Sequence, residues 1–473
     1  MPLFKKGGLG DVSYALPVAL SKLGVTVAIV MPFYAGVKVK DPACIGQLAV
    51  DFDKKRELVF VFSATIPNTK VPIYLIRHPR LDDYMGRDIA ETFAFFCQAV
   101  ARLYLFSPHI LGGAFDIIHC HDWHTALIPM LLGENNKTKP RQPQTLEAAD
   151  TKTIITIHNL LYQGETGVRI IRKIGLPRTL FHVFKTPLGH AVKLLREGLD
   201  YADVISTVSP TYAKEIVSPA KKGRFINDVL RRRKDRVVGI INGIDPTIWD
   251  PKIDPTLPVN YDKETVFDAK IKIKHHLRTA LHVPQVDVPL FGFVGRIEPR
   301  QKGMDILREA VTLLPKGRYQ IAILGTGPDI WVRMLTNMAK RSHNIAFVHT
   351  FDERLARRIY AGSDFMLVPS KFEPCGLTQL IAMRYGTIPL VRKTGGLADT
   401  VRNGRTGFVF DRYEARSLAK SMKYAIDFWN TEPLKFREYI LRVMKQDFSW
   451  DQSARKYRSL YRRLLKSKTG KLI

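Results

Sequence analysis

The sequence has few cysteines, no long hydrophobic run and comparatively little negative charge. Its four cysteines are scattered without a C-x-x-C pair, which argues against both a disulfide framework and a cysteine zinc site. No run of about eighteen apolar residues occurs, and the start, MPLFKKGGLGDV, has no apolar run long enough for a signal peptide. We therefore expect a cytoplasmic protein without a membrane span.

Positive charge is in excess. Lysine and arginine number 73 against 44 aspartates and glutamates, so the net charge is +29. Such an excess favours an anionic partner, which could be a nucleic acid, an anionic membrane or a small anionic ligand. The hydrophobic fraction of 45% is that of an ordinary globular chain, and 473 residues predict about two to four domains.

Short β-branched runs alternate with longer helical patterns along most of the chain, which is typical of parallel sheets covered by helices. The expected strands are residues 25–32, 57–64, 71–77, 115–120, 153–158, 204–208 and 237–241, then 290–294, 320–324, 345–349, 365–368 and 388–391. We therefore predict an α/β protein with two Rossmann-like, doubly wound domains.

A proline-rich segment separates the two alternating halves, because residues 243–262 contain four prolines and no periodicity. We predict an amino-terminal domain of residues 1–245 plus 450–473, a linker of residues 246–262 and a carboxyl-terminal domain of residues 263–449. The final helix, from about residue 451 to 465, is expected to return to the first domain.

Each half contains a basic residue followed by a double glycine, in Lys5 to Asp11 and in Lys393 to Asp399. A strand precedes the second copy, so its glycines lie at a strand-to-helix turn that favours an anion. Only four residues precede the first copy. This is too short for the strand that such a loop needs, so we expect the opening strand to be missing.

Basic and acidic groups follow two strands of the second half. Arg296 and Lys302 suit a diphosphate, although two solvated basic side chains explain them equally well. Glu373 could accept hydrogen bonds from sugar hydroxyls, or it could be an ordinary loop carboxylate, and a helix start near Gly376 offers amides to a phosphate. Cys375, between proline and glycine, is expected to be inert packing rather than a nucleophile.

The segment His119 to His124 suggests a metal site at first sight. However, His119 and His121 follow the two-residue period of a strand, and no second ligand cluster is obvious, so we expect no metal. Asp122 and His124 at a strand end are better interpreted as hydrogen-bonding groups lining a cleft. His158, at the end of the next strand, is a second candidate for the cleft, although it could also be a satisfied turn histidine.

Several motifs together resemble those of bacterial glycogen synthases and plant starch synthases. They extend from about residue 2 to 465 and comprise KKGGLGDVSYALP, HCHDWHTAL, ITIHNLLYQG, INGID, GRIEPRQKG, LGTG, PSKFEPCGLTQLIAMRYGTIPLVRKTGGLADTV and FSW. The resemblance implies the GT-B fold, with two Rossmann-like domains facing a central cleft. It also implies retaining transfer of glucose from ADP-glucose to the non-reducing end of an α-1,4-glucan, with no cofactor and no metal.

The resemblance also assigns roles to residues. The implied catalytic residues are Glu373 at the donor sugar, Arg296 and Lys302 at the diphosphate, and His158 and Asp122 on the glucose and acceptor side. The residues implied in nucleotide and donor binding are Lys5, Gly7, Gly8, Asn242, Phe351 as the aromatic against adenine, Cys375, Gly376, Leu377, Thr378, Gly395 and Gly396.

The chain departs from the family pattern in three places. Ile381 stands where related families have a second glutamate, as in the glycogen synthase branch. Arg296 and Lys302 are six residues apart, one more than in many bacterial members. The family's opening strand, ahead of Lys5, is missing, which puts activity in question.

Two alternatives stay open. A transferase of the same fold could use UDP-glucose or another acceptor. A basic nucleic-acid-binding protein with a decayed transferase site is disfavoured, because aromatic residues are not interleaved with the basic runs. A plastid location would replace the cytoplasm in a plant, although no transit peptide is visible. The sequence does not fix the oligomeric state.

Overall fold

The computed structural model describes residues 3, 8–82, 88–138, 150–218, 226–298 and 301–467. The chain divides into two compact units. The first comprises residues 1–208, 213–240 and 450–473, and the second comprises residues 209–212 and 241–449. The carboxyl-terminal helix, Trp450–Lys466, belongs to the first unit.

Two four-stranded sheets and a small three-stranded sheet form the first unit. The strands are β1 (Ile29–Pro32), β2 (Ala43–Phe52), β3 (Lys55–Thr65), β4 (Pro72–Arg77), β5 (Ile117–His121), β6 (Lys152–Ile157), β7 (Glu165–Gly167), β8 (Phe184–Thr186), β9 (Gly189–Lys193), β10 (Val204–Thr207) and β11 (Val237–Gly239). Their orders are β1-β4-β3-β2, β11-β10-β6-β5 and β7-β9-β8. The second of these sheets is entirely parallel.

Helices cover these sheets. They are Gly8–Lys22, Ile89–Phe106, Leu127–Thr138, Arg169–Ile174, Leu194–Tyr201, Pro210–Val217, Asn227–Arg232 and Trp450–Lys466. Among the described residues, Ile89–Phe106 is long and apolar enough to cross a membrane, but 72% of it is buried in the protein. Buried core helices of soluble proteins are often equally long and apolar, so this helix is only weak evidence for a membrane span.

The second unit has one six-stranded parallel sheet. Its strands, β12 (Leu290–Val294), β13 (Gln320–Leu324), β14 (Ile345–Val348), β15 (Phe365–Val368), β16 (Ile388–Arg392) and β17 (Phe408–Phe410), take the order β14-β13-β12-β15-β16-β17. The helices are Val266–Ala280, Met304–Thr312, Asp329–Lys340, Glu353–Gly362, Thr378–Arg384, Gly395–Thr400, Ala415–Thr431 and Pro433–Met444. The buried, β-branched strands form the core of this unit, as continuous apolar runs predict.

A cavity of about 600 Å³ interrupts the sheet of the first unit. Residues 25–32, which include β1, and Ile117, His119 and His121 of β5 line it, together with Leu16 and Leu20 of the first helix. β1 and β5 each end their own sheet. The cavity therefore lies beside the edge strands β1 and β5 and next to the first helix.

Three features differ from the sequence-based expectation. β2 and β3 form an antiparallel hairpin that continues antiparallel onto β4, so the first sheet is mixed. β2, β7, β8, β9 and β17 were not expected, because their residues lack long β-branched runs.

The proline-rich segment expected as a linker packs entirely with the second unit. The buried carboxylate of Asp254 accepts hydrogen bonds from Arg357 Nη1 at 3.2 Å and from the Tyr385 hydroxyl at 2.5 Å. Tyr261 donates to the Tyr385 carbonyl at 2.8 Å. These buried polar contacts hold the segment in place, and they could not be read from its irregular composition.

Candidate active site

A buried glutamate stands at the centre of the candidate residues in the second unit. Glu373 follows β15 and is only 5% exposed. Its Oε2 accepts a hydrogen bond from Lys302 Nζ at 2.6 Å and another from Ser370 Oγ at 2.9 Å. A buried carboxylate is stable only with such partners, so the ion pair fixes Glu373 at the carboxyl ends of the strands.

The loops that carry Lys302 and Glu373 are packed tightly together. The backbone N–H of Lys371 donates to the Gln301 carbonyl at 2.7 Å. Gly303 has a φ of +75°, and a Cβ there would lie 2.1 Å from the Pro369 carbonyl oxygen. Only glycine fits this close approach, and it allows the two loops to pack against each other.

Arg296 lies in the same loop as Lys302 but is exposed to solvent. It follows the last residue of β12, Val294, by two positions. The structure thus brings Lys302 onto Glu373, while Arg296 lies on the surface of the same unit. Residues 299–300, which connect the two, are outside the described residues.

The second double-glycine loop packs directly beneath the glutamate segment. The Gly396 N–H donates to the Glu373 carbonyl at 3.0 Å. A Cβ on Gly395 would lie 1.9 Å from that carbonyl oxygen, and one on Gly396 would lie 2.1 Å from the Cys375 carbonyl oxygen. The double glycine therefore allows the two backbone segments to touch.

The segment after Glu373 turns into a short helix. Gly376 has a φ of +75°, and its carbonyl accepts a hydrogen bond from Gln379 Nε2 at 2.8 Å. The helix begins at Thr378, directly after Gly376 and Leu377, which agrees with the helix start that the sequence predicts near Gly376. Gly376 itself has the left-handed conformation, which glycine adopts without steric cost.

Asn242 and Cys375 lie together in the second unit. The backbone of Asn242 is hydrogen-bonded to the Cys375 thiol, and burial raises the pKa of that thiol to about 12. Cys375 is therefore a packing residue and not a thiolate nucleophile at neutral pH. Among the described residues, Oδ1 of the buried Asn242 has no hydrogen-bond partner.

Phe351 projects into solvent. It precedes the helix Glu353–Gly362, and 86% of its surface is exposed. Single exposed apolar side chains are common on protein surfaces, so the exposure of Phe351 does not by itself assign it a role. Its apolar face is available to a planar ligand.

The first unit brings Asp122 and His158 together. Asp122 directly follows β5, with a φ of +57°, and its Oδ1 accepts the backbone N–H of His158 at 2.7 Å. Burial raises the pKa of Asp122 to about 7. A non-glycine residue in the left-handed region is strained, which is common at functional sites.

Half-buried histidines lie around this pair. His121 Nδ1 and His158 Nε2 are 3.0 Å apart and share a hydrogen bond. Burial lowers the pKa of His121 to about 4 and that of His158 well below its ordinary value. Both rings are therefore neutral near pH 7. His119 instead bonds the hydroxyls of Tyr461 and Thr156, at 2.7 and 2.6 Å.

Among the described residues, no group of three or more His, Cys, Asp or Glu side chains could hold a metal ion. The first double-glycine loop is described only from Gly8, where a helix begins and an added Cβ would meet nothing within 4 Å. Lys5 and Gly7, which the sequence predicted at the donor, lie outside the described residues.

Sequence reasoning missed Ser370 and the role of His121 as a partner of His158. A serine three residues before a glutamate is common in any sequence, and its hydroxyl can bond many nearby groups, so the spacing did not single out Ser370. His121 was named only as part of a possible metal cluster. Neither contact has a sequence signal, since both depend on how the loops meet.

Two sequence profiles match the chain. "Starch synthase catalytic domain" covers residues 1–232, and "Glycosyl transferases group 1" covers residues 288–427. The chain is 38% identical to the glycogen synthase of Thermodesulfovibrio yellowstonii, over 99% of this chain and 97% of that protein. It is also 38% identical to the glycogen synthase of Kosmotoga olearia, over 98% and 96%.

A solved structure is similar over nearly the whole length. The catalytic domain of starch synthase IV from Arabidopsis thaliana, bound to ADP and acarbose, matches with a TM-score of 0.86 and 30% identity. The match covers 98% of this chain and 97% of that one. The chain therefore belongs to the glycogen and starch synthase family and is a glucosyltransferase with the GT-B fold.

Proposed function

We propose that the protein transfers a glucosyl unit from ADP-glucose to the 4-hydroxyl at the non-reducing end of an α-1,4-glucan, with retention of configuration. The observation that carries this proposal is the Lys302–Glu373 pair, 2.6 Å apart at the strand ends of the second unit. The ammonium group of Lys302 suits the phosphates of a nucleotide sugar, and the carboxylate of Glu373 suits the hydroxyls of its sugar.

The reaction requires the departure of the diphosphate as the leaving group. Breaking the bond between the sugar and the phosphate leaves negative charge on the phosphate oxygens. Arg296 and Lys302 supply positive charge for these phosphate oxygens, and electrostatic stabilisation of developing charge is usually the largest catalytic contribution. We propose that these side chains make a metal ion unnecessary.

The adenine of the donor would stack on Phe351, whose ring is 86% exposed. A purine offers a larger stacking area than uracil, so this contact favours ADP-glucose over UDP-glucose. The similar starch synthase IV domain was solved with ADP bound, which supports the same preference.

Asp122 and His158 would serve the sugar and acceptor side. His158 is neutral at pH 7 because burial lowers its pKa, so it can donate or accept a hydrogen bond without bringing charge. Asp122, with a pKa near 7, fixes the His158 backbone. We propose that they orient hydroxyl groups. Departure and attack then occur on the same face of the sugar, and the leaving phosphate assists the acceptor hydroxyl.

A donor panel tests the proposal. Purified protein is given glycogen and either ADP-glucose or UDP-glucose, with and without excess chelator, and the released nucleotide is measured. We expect ADP release, unchanged by chelator, and new α-1,4 linkages by NMR. Release of UDP alone contradicts the donor assignment. Complete loss of activity on chelation, restored by a divalent ion, contradicts the metal-free mechanism.

Since donor and glucan are both water-soluble, we also propose a cytoplasmic location.

A further inference from the structure

Ser370 is a fully buried hydroxyl beside Glu373. It lies two residues after the end of β15, and its relative exposure is 0%. Its Oγ donates a hydrogen bond to Glu373 Oε2 at 2.9 Å. A hydrogen bond to a charged acceptor is among the stronger contacts in a protein, so this serine restrains the carboxylate.

The two oxygens of Glu373 have different surroundings. Both Ser370 and Lys302 bond Oε2. Among the described residues, no side chain donates a hydrogen bond to Oε1. The carboxylate is therefore held by one oxygen, and the other is left to accept a hydrogen bond from a ligand.

The two partners of Oε2 differ in how firmly they are held. Arg392 Nε donates to the Ser370 carbonyl at 2.8 Å, and the same guanidinium bonds the Lys371 carbonyl, so the backbone under Ser370 is fixed. Lys302 instead has a long flexible side chain that is 20% exposed. A diphosphate near Lys302 would compete with Glu373 for its ammonium group.

We propose that Ser370 is a positioning residue, which keeps Oε2 engaged while Lys302 turns to the diphosphate and so presents Oε1 to a hydroxyl of the donor sugar. This inference rests on the proposed function of the same residues. Lys302 cannot hold Oε2 throughout the reaction, because its single ammonium group must bind both the carboxylate and the diphosphate. Ser370 therefore holds Oε2 when Lys302 does not.

A kinetic cycle tests the inference. Ser370→Ala should lower kcat/KM for the sugar nucleotide by about tenfold, as expected for one hydrogen bond to a charged group. In a Glu373→Ala background, the same substitution should have no further effect, because the serine acts only through the carboxylate. Ser370→Cys, with similar volume and a weak S–H donor, should fall between Ser370→Ala and the wild type.

Ser363→Ala is the matched control. Ser363 is also 0% exposed and in the same unit, but its hydroxyl has no hydrogen-bond partner among the described residues. It should leave kcat/KM unchanged. If Ser370→Ala behaves like this control, or is equally harmful in both backgrounds, the serine does not position Glu373.

A crystal structure of Ser370→Ala with ADP bound, so that a diphosphate is present to engage Lys302, gives a readout that does not depend on turnover. We expect the Glu373 carboxylate to rotate or to occupy two orientations. An unchanged carboxylate overturns the inference, even in an active enzyme. A wild-type protein that transfers no sugar from either nucleotide overturns the proposed function instead, and the carboxylate orientation still decides the role of Ser370.

Discussion

The two units contain related loops in unequal surroundings. In the second unit, Gly395 and Gly396 follow β16 and touch the carbonyls of Glu373 and Cys375. In the first unit, a Cβ on Gly8 would meet nothing within 4 Å, and the neighbouring sheet is interrupted by a cavity of about 600 Å³.

This difference shows that the sequence of a double-glycine loop does not by itself determine how the loop packs. The loop of the second unit is held by the strand before it and by the carbonyls packed against it. The loop of the first unit is described only from Gly8, and an added Cβ there would meet open space. Native interiors have few voids larger than a water molecule, so a cavity of about 600 Å³ marks a loosely packed place among the described residues of the first unit.

The largest expected effect concerns the second unit. Arg296→Ala and Lys302→Ala should each lower turnover by about a hundred- to a thousandfold, roughly 3 to 4 kcal/mol, with a smaller effect on donor binding. Charge on the diphosphate grows as the bond breaks, so the loss falls mainly on kcat. The double variant should lose less than the sum of the two, because both groups act on one leaving group.

Steady-state kinetics of the three variants measure this effect, with Lys340→Ala as the control. Lys340 is an exposed lysine in the last turn of Asp329–Lys340. A Lys302→Ala enzyme with full turnover and only a raised KM would show that Lys302 does not meet the leaving group, and the longer Arg296–Lys302 spacing would be the reason.

Filling the cavity of the first unit would sharpen the comparison. A segment of about five apolar, β-branched residues joined ahead of Met1 should pair with the free edges of β1 and β5. A gain of about 2 kcal/mol raises the melting temperature by roughly 4–8 °C in a unit of this size. Calorimetry measures it, and a glycine-serine segment of equal length is the control. Equal melting of both proteins contradicts the expectation.

The two units should also gain stability in different pH windows. In the first, burial lowers the pKa of His121 and of His124 to about 4, so the unfolded state binds more protons below pH 6.5. Stability therefore rises from pH 4 to 6.5, partly opposed by Asp122, whose raised pKa acts in the reverse direction. Each net proton is worth at most about 1.4 kcal/mol per pH unit.

In the second unit, burial lowers the pKa of Lys270 to about 7, which makes stability rise between about pH 7 and 10.5. Urea unfolding followed by hydrogen exchange resolves the two units at each pH. A parallel rise of both units in one window would show that these buried groups do not control the pH dependence.

The smallest expected effect is that of Phe351→Ala. Loss of the stacking face should raise the donor KM by about two- to tenfold and leave kcat nearly unchanged. Ile330→Ala, at a side chain that is 59% exposed in the same unit, is the control and should change neither constant. An unchanged donor KM in Phe351→Ala would show that the ring does not touch the base.

Strands with short continuous apolar runs could be predicted from the sequence, and β12 and β15 have the predicted bounds. β2 was missed because Gly46 and Gln47 interrupt its apolar pattern, although it pairs with β3 over most of its length. Its formation depends on the neighbouring strand, which a local pattern cannot show.

Motifs located Glu373, Lys302 and Asp122, because strand ends of parallel sheets are where polar groups gather. The direct contact of Lys302 with Glu373 could not be predicted, since 71 residues separate them and loop packing brings them together. The helix start near Gly376 was also predicted, since the helix begins at Thr378, but the left-handed φ of Gly376 could not be read from helical propensity.

The close approach of Gly303 to the Pro369 carbonyl has a consequence for enzyme engineering. Any larger residue at position 303 would push apart the loops that carry Lys302 and Glu373, since its Cβ would meet that oxygen at 2.1 Å. Libraries designed to change the donor should therefore keep this position fixed. Diversity is better placed at Phe351, where the side chain faces solvent and replacement leaves the backbone untouched.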